Sequence, residues 1–222
     1  MRLVVRTFSE LCLTVGTLIV LFVVYVLYWT GVQAQSASAG QIDTLQREWT
    51  DVPVRPAEPA PEAVPYVRGK GMAVMYVPRL GRDWKWPVLQ GTEVATLKKG
   101  LGHYADSGRL GATGNFAVAG HRRTYGDPFK DFPRLREGDA IVLTDGTTWF
   151  TYRVDRAPYR TVPTDTGVID PVPVKSGFDG PGRYLTLTTC DPEWGSSHRL
   201  VVWAHLDATR PVADGRPQAL DS

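Results

Sequence analysis

The chain has 222 residues, a formal net charge of +2 and two cysteines. That length allows one ordinary domain with appendages, and the near-balanced charge leaves no electrostatic footprint for nucleic acid. One cysteine sits in an apolar N-terminal run, so a disulfide framework and a cysteine-rich zinc site are both excluded.

Residues 1–10 form a short stub carrying Arg2 and Arg6. Residues 11–29 contain no charged side chain, and about 20 apolar residues cross a bilayer core of ~30 Å. A retained transmembrane anchor over 11–30 is therefore predicted, with Tyr25, Tyr28 and Trp29 at its far end, where an aromatic belt sits. A cleavable signal peptide is the competing reading, with small residues at Ala34-Gln35-Ser36-Ala37, but the apolar run exceeds the ~7–15 residues of a signal core. Arginines before the span and few positive charges soon after it place the N-terminus in the cytoplasm and the rest of the chain outside.

Residues 31–71 read as an extracellular linker. Within it, Ile42, Leu45 and Trp49 form an apolar stripe on a short helix over 41–50. The proline-rich stretch 51–65 reads as a semi-rigid extended spacer. The folded domain is expected over 72–210. Strands are predicted at 72–77, 86–90, 115–120, 140–143, 149–154 and 199–206, and along 183–190, with shorter pieces near 159–162 and 167–169. A helical turn is expected at 94–99, glycine-rich turns at 100–114, a short helix at 128–135 and a hairpin turn at Asp145-Gly146. About eight short strands and almost no long helix in the domain indicate an antiparallel-rich sandwich or small barrel. Residues 211–222 read as a polar, flexible tail.

The chemistry gathers at the last two long strands. Leu185 and Leu187 alternate with Thr186 and Thr188, and Cys190 shares the parity of the threonines. A small polar face ending in a thiol suits a cleft floor, although a free cysteine is also often a small buried hydrophobe. If 183–190 and 199–206 pair antiparallel, Cys190 meets Arg199 at one sheet edge. Arg199 alternatively pairs with Asp191 or Glu193 as an ordinary strand-end arginine. Cysteine catalysis also needs a proton partner, because an unassisted thiol with a pKa near ~8.5 is mostly protonated at neutral pH. His121 closes the strand 115–120 on its small-residue face. A parallel pairing of that strand with 184–189 brings it to the same edge. His103 lies in a turn-rich segment and reads as surface or loop packing. His198 adjoins Arg199 but faces the opposite way. His205 lies too far along its strand and reads as structural. No histidine or cysteine pair has zinc-site spacing.

Thr186-Leu187-Thr188-Thr189-Cys190 resembles the TLxTC signature of sortases, and an arginine about nine residues later resembles their catalytic arginine. Asn115-Phe116-Ala117-Val118-Ala119-Gly120-His121-Arg122 is similar to the segment that delivers their histidine. The sequence His121-Arg122-Arg123-Thr124-Tyr125-Gly126, with Cys190-Asp191-Pro192, resembles most the class E sortases of high-GC Gram-positive bacteria. The resemblance spans 72–206 and implies an eight-stranded β-barrel, mainly β with short helices, behind one transmembrane helix.

It further implies an extracellular cysteine transpeptidase that cleaves a C-terminal sorting signal (LAxTG or LPxTG) between Thr and Gly. Cys190 would be the nucleophile, His121 the acid and base, and Arg199 the oxyanion partner. An amine acceptor such as the cell-wall precursor lipid II would resolve the acyl-enzyme. Candidate substrate-binding residues are Thr188 and Thr189 before the cysteine, Val201 on the parity of Arg199, and Tyr125 for the LAxTG preference. No cofactor and no metal are expected. A pilin-polymerising sortase with a protein lysine as acceptor uses the same residues. A non-catalytic anchored binding module would not need Cys190, His121 and Arg199 together. The L,D type of cysteine transpeptidase carries serine and glycine before its cysteine, where this chain has threonines.

Overall fold

The computed structural model describes residues 2–51 and 66–221. The proline-rich stretch expected as an extended spacer lies outside the described residues, apart from Asp51, which ends a helix. Nine strands form one sheet: β1 (Gly71–Tyr76), β2 (Lys85–Gln90), β3 (Leu101–His103), β4 (Gly114–Ala119), β5 (Ala140–Thr144), β6 (Thr148–Val154), β7 (Tyr159–Thr161), β8 (Arg183–Asp191) and β9 (His198–Pro211). Eight of them run in the order β6-β5-β1-β2-β3-β4-β8-β9, and a β6–β9 pairing closes the ring into a barrel. Closure of this kind removes the exposed edges that an open sheet of short strands would leave. Strand β9 makes it possible by serving two neighbours in turn. Its first residues pair with β7, through Thr161↔Arg199 and Tyr159↔Val201. Its later residues pair with β6, from Ala204 to Pro211.

Period-two alternation decides which face of each strand fills the barrel. Phe116, Val118, Leu185, Leu187, Val202 and Ala204 point into one core with Met75, Ile141, Leu143 and Tyr152, all of them buried. The opposite face of β8 and β9 carries Thr186, Thr188, Val201 and Trp203. It is buried too, because the segment around Val168 and Phe178 folds over it. The Trp203 indole N–H donates to the Val168 carbonyl at 2.9 Å, which pins this cover to the sheet.

Four expectations change within the domain. The short strand expected near 167–169 is a 3-10 turn over Thr166–Ile169. Strand β3 falls within 100–114, where glycine-rich turns were expected; its three residues centre on Gly102 and are too few to show a period. The helix expected at 128–135 is only a 3-10 turn over Phe132–Arg134, with Pro133 inside it, although Phe129, Phe132 and Leu135 are buried. Residues 212–221 are not a free tail. They form two 3-10 turns, and Val212, Ala219 and Leu220 pack against Ala140, Val142 and Trp149.

The largest departure lies before the barrel. Helix α1 (Arg2–Asp51) continues unbroken from the apolar run into residues 31–51, the first part of the region expected to link anchor and domain. Residues 4–50 include a span long and apolar enough to cross a membrane. Beyond it the helix lies along the outside of β1 and β2. Ala34, Ser38, Ile42 and Leu45 are buried there, and Ile42 and Leu45 meet Val74 with Trp49 and Tyr76 alongside. The expected stripe of 42, 45 and 49 therefore exists, extended upstream by small residues at i−4 and i−8 that let the helix approach closely.

Leu45 is 3% exposed and stands over Gly71. Replacing it with alanine should cost about 2–5 kcal/mol where the helix docks. Thermal unfolding of the full chain in detergent should fall by several degrees for Leu45→Ala and hardly move for the exposed Asp43→Ala. Equal melting of the two would mean that the helix does not dock.

Candidate active site

The register of three strand ends builds the site. Strand β8 pairs parallel to β4, with Ala119 opposite Thr188, and antiparallel to β9, with Cys190 opposite Arg199. The thiol and the guanidinium thus leave the sheet side by side. His121 follows immediately after the last residues of β4, and Gly120 ties that end to β8. The Gly120 N–H donates to the Thr188 carbonyl at 3.1 Å. The Thr189 hydroxyl donates to the Gly120 carbonyl at 2.8 Å. Only glycine fits here, since a Cβ would stand 2.6 Å from the Phe129 ring and 2.7 Å from Leu101.

A loop then folds back, with the Phe129 N–H on the His121 carbonyl at 3.0 Å. Its tip, Thr124 to Asp127, keeps φ between +50° and +82°, left-handed backbone that is costly for the three non-glycine residues. This turn lays the Tyr125 ring against His121, with centroids 5.1 Å apart, and the Lys98 ammonium lies 5.1 Å from the tyrosine ring centre. The His121 Nε2 is buried and has no partner among the described residues. Burial pushes this imidazole below its usual range, the Lys98 charge pushes the same way, and Asp127 opposes them. Its neutral form is favoured, so one ring nitrogen is available to take a proton.

The charged groups beside the cysteine form a bridge that the sequence reading did not anticipate. Asp191 accepts from Arg122 at 2.6 Å and from Arg160 of β7 at 2.6 Å. Burial raises the Asp191 carboxyl, but the hydrogen bonds and charges of Arg160 and Arg122 outweigh that and hold it below the usual carboxylate range. Arg122 also reaches the Cys190 carbonyl at 3.4 Å. One carboxylate therefore joins the ends of β4, β7 and β8 around the thiol. The usable signal in the sequence was parity, since Arg122 must face away from His121.

Arg199 pairs with neither Asp191 nor Glu193. It donates to the carbonyls of Ser196 at 3.0 Å and His198 at 2.9 Å within its own loop, while Glu193 pairs with Arg123.

Below Cys190 lies a small cavity of about 100 Å³, lined by Tyr104, Thr161, Val168, Thr188, Arg199 and Val201 among others. Thr188 and Val201 are register partners on its floor, and the Tyr104 hydroxyl meets the Thr188 hydroxyl at 3.0 Å. Thr189 does not face this cavity. Its opposite parity sends the hydroxyl to Gly120, so it holds His121's strand in place and is withdrawn from the groove residues. Tyr125 stands against His121 and not over the Thr188–Val201 floor. Of the remaining histidines, His198 stands opposite Asp191 at the edge of the bridge, and the other two lie away from it. His103 is buried on Phe116 and bonded to the Gly108 carbonyl, His198 contacts Arg160 and Ser197, and His205 pairs with Asp155 on the exterior.

Comparison with other proteins places this barrel, with cysteine, histidine and arginine at one end, in a family. The Sortase domain family model matches residues 75–207. The chain is 38% identical to Sortase SrtE1 of Streptomyces coelicolor over 98% of its own length, though it spans only 61% of that protein. Against Sortase SrtE2 of the same organism it is 32% identical over 96% of this chain and 85% of that one. Among solved structures, sortase E from Streptomyces avermitilis is 70% identical with a TM-score of 0.66, covering 70% of this chain and 99% of that one. A crystal structure of Sortase E1 from Streptomyces coelicolor with a tripeptide in the active site is 39% identical with a TM-score of 0.65, covering 68% and 97%. This chain belongs to the sortase family, a family of cysteine transpeptidases.

Two measurements probe the site. Asp191→Ala leaves a nearly buried Arg122 without its carboxylate, and breaking such a pair costs about 3–5 kcal/mol. The melting temperature should drop markedly, whereas Asp207→Ala, which breaks the exposed pair with Arg153, should change little. NMR titration should place the His121 pKa below ~6.5, and Lys98→Met should raise it by removing a nearby positive charge. An unmoved or lowered value in Lys98→Met would remove Lys98 from the site.

Proposed function

We propose that this chain is a membrane-anchored class E sortase. The proposal assigns it to cleaving a sorting signal of the LAxTG or LPxTG kind and passing the acyl group to an amine. The observation that carries the reading is the register of Cys190 opposite Arg199, with His121 one residue beyond the Gly120 tie.

In this mechanism the Cys190 thiol gives its proton to His121 as the sulfur attacks the carbonyl between Thr and Gly, and the carbonyl electrons move to oxygen. Arg199 faces that oxyanion after exchanging the Ser196 and His198 carbonyls for it. Collapse breaks the C–N bond, and His121 delivers a proton to the departing glycine amine. An incoming amine attacks the thioester, His121 accepts its proton, and the thiol is restored as the new amide forms. The floor of Thr188 and Val201 supports the residues before the scissile bond. Tyr125, packed on His121, bounds the site on the histidine side and bears on the alanine-or-proline choice.

The apolar part of α1 supports the anchor, with the N-terminus in the cytoplasm and the barrel outside, as Arg2 and Arg6 favour. There it meets secreted proteins bearing sorting signals. Lipid II is the acceptor that a cell-wall role requires; a protein lysine would mark a pilin-polymerising enzyme.

Incubated with an LAxTG peptide, the full chain should cleave after threonine and show an acyl adduct on Cys190 by mass spectrometry. Cys190→Ala should abolish both. Arg199→Lys keeps the charge but loses the planar fork, and kcat should fall about 100-fold. Undiminished cleavage by Cys190→Ala would end the mechanism. Comparing lipid II with a lysine peptide as acceptor separates the cell-wall role from the pilin role.

A further inference from the structure

The direction of α1 relative to the barrel carries information beyond anchoring. Strands β4 and β8 run toward the Cys190 end, and β9 and β3 run away from it. Near that end Gly126, two residues past the site loop's Thr124, lies beside Trp86 and Ala34, and a Cβ on it would stand 3.5 Å from the Ala34 Cβ. At the other end Trp49 crowds Gly146 in the β5–β6 turn, and Leu45 covers Gly71 at the start of β1. The helix therefore descends the barrel wall from the cleft end to the far end. Fifteen residues at 1.5 Å make ~22 Å, the length of a six-residue strand. Its apolar span leaves from the cleft end. Trp29, the last residue of the apolar run, is five residues from Ala34, or ~7.5 Å along the axis.

We propose that the unbroken α1 is a strut that seats the cleft end of the barrel on the lipid headgroups. The cleft opens toward the membrane plane, and the β5–β6 turn points away from it. This rests on the reading of α1 as a membrane anchor.

The surface at the cleft end has the chemistry of an interfacial layer. Trp194, in the loop between Cys190 and Arg199, is 66% exposed and stacks under the Arg123 guanidinium at 4.6 Å. An exposed amphipathic indole of this kind favours the headgroup region. Lys98, Lys99 and Lys130 are exposed on the same end, suited to anionic lipid. Of the acidic groups at this end, Asp127 and Glu193 are paired with Arg123 and Asp131 with Arg134, which leaves the exposed Asp83 to offset one of the lysines. A cleft seated this way receives the reacting segments of membrane-borne molecules close to the bilayer. A barrel on a loose tether would have to find them by swinging.

The test uses the full chain reconstituted in vesicles of phosphatidylcholine and phosphatidylglycerol doped with a nickel-chelating lipid. In a Cys12→Ser, Cys190→Ala background, a nitroxide is attached through Trp194→Cys at the cleft end or Thr147→Cys at the far turn. Seating on the headgroups should give several-fold stronger nickel-induced relaxation at 194 than at 147. Flotation of the same samples reports the anchor separately. A chain that fails to float refutes the anchor, whereas a floating chain with equal relaxation at the two sites overturns the seating. A flexible Gly-Ser insertion between Gly31 and Val32 should leave flotation intact and abolish the difference. A difference that survives the insertion overturns the strut.

Discussion

The register of β8 between β4 and β9 is the constraint on which the rest of the structure depends. Because a strand's side chains alternate with a period of two, a slip by one residue would exchange its faces. Leu185 and Leu187 would leave the barrel core, and Thr186, Thr188 and Cys190 would enter it. Thus the packing that fills the core is also what aims the thiol. The cost of misplacing two leucines, each worth several kcal/mol when buried, guards the position of a cysteine that contributes little to packing. Gly120 adds a second lock at the same level. Its paired hydrogen bonds to Thr188 and Thr189 fix where β4 stops and hence where His121 begins.

Polar groups at the strand ends finish what the core begins. Beyond the last apolar residues no hydrophobic contact can hold β4, β7 and β8 together, and the Asp191 bridge to Arg122 and Arg160 takes over. The bridge also occupies the carboxylate that would otherwise compete for Arg199. That arginine rests instead on neutral carbonyls of its own loop. Exchanging two neutral acceptors for a negative oxygen is favourable, because hydrogen bonds to charged groups are stronger. A guanidinium already paired to a carboxylate would gain far less from the same move. The separation of structural from available arginines is therefore part of the site's electrostatics.

Much of this was legible in the sequence, for reasons that also explain what was not. The alternation of leucine and threonine in 185–188 and the strand-like run after Arg199 pointed to the pairing that sets Cys190 opposite Arg199, and the parity of Ala117, Ala119 and His121 pointed to the parallel pairing of β4 with β8. Long-range ion pairs leave no such pattern. Nothing near Asp191 announces Arg160, which lies 31 positions earlier and reaches it only because β7 joins β9. Parity sets Thr189 on the face opposite Thr188, and its hydroxyl is spent on the Gly120 carbonyl, a long-range partner that no local pattern announces. Strand β3 was missed because three residues centred on a glycine have no period to detect.

The same limit explains α1. Residues 34–49 are rich in serine, alanine and glutamine, a composition that reads as spacer when polarity is averaged. Sorted by helical position, however, Ala34, Ser38, Ile42, Leu45 and Trp49 fall on one face, small near the cleft and large at the far end. Small residues suit the place where the helix passes closest to the site loop, and large ones cover the apolar wall of β1 at Val74. A flexible tether has no need of a graded face. It would leave the barrel free to rotate, and each encounter with a membrane-borne partner would carry an orientational cost in entropy. A helix bonded along the barrel wall removes that freedom once, during folding. The loop that follows His121 passes between Trp86 and Ala34 of the helix at Gly126, so the element that covers the barrel wall also borders the loop carrying His121 and Tyr125.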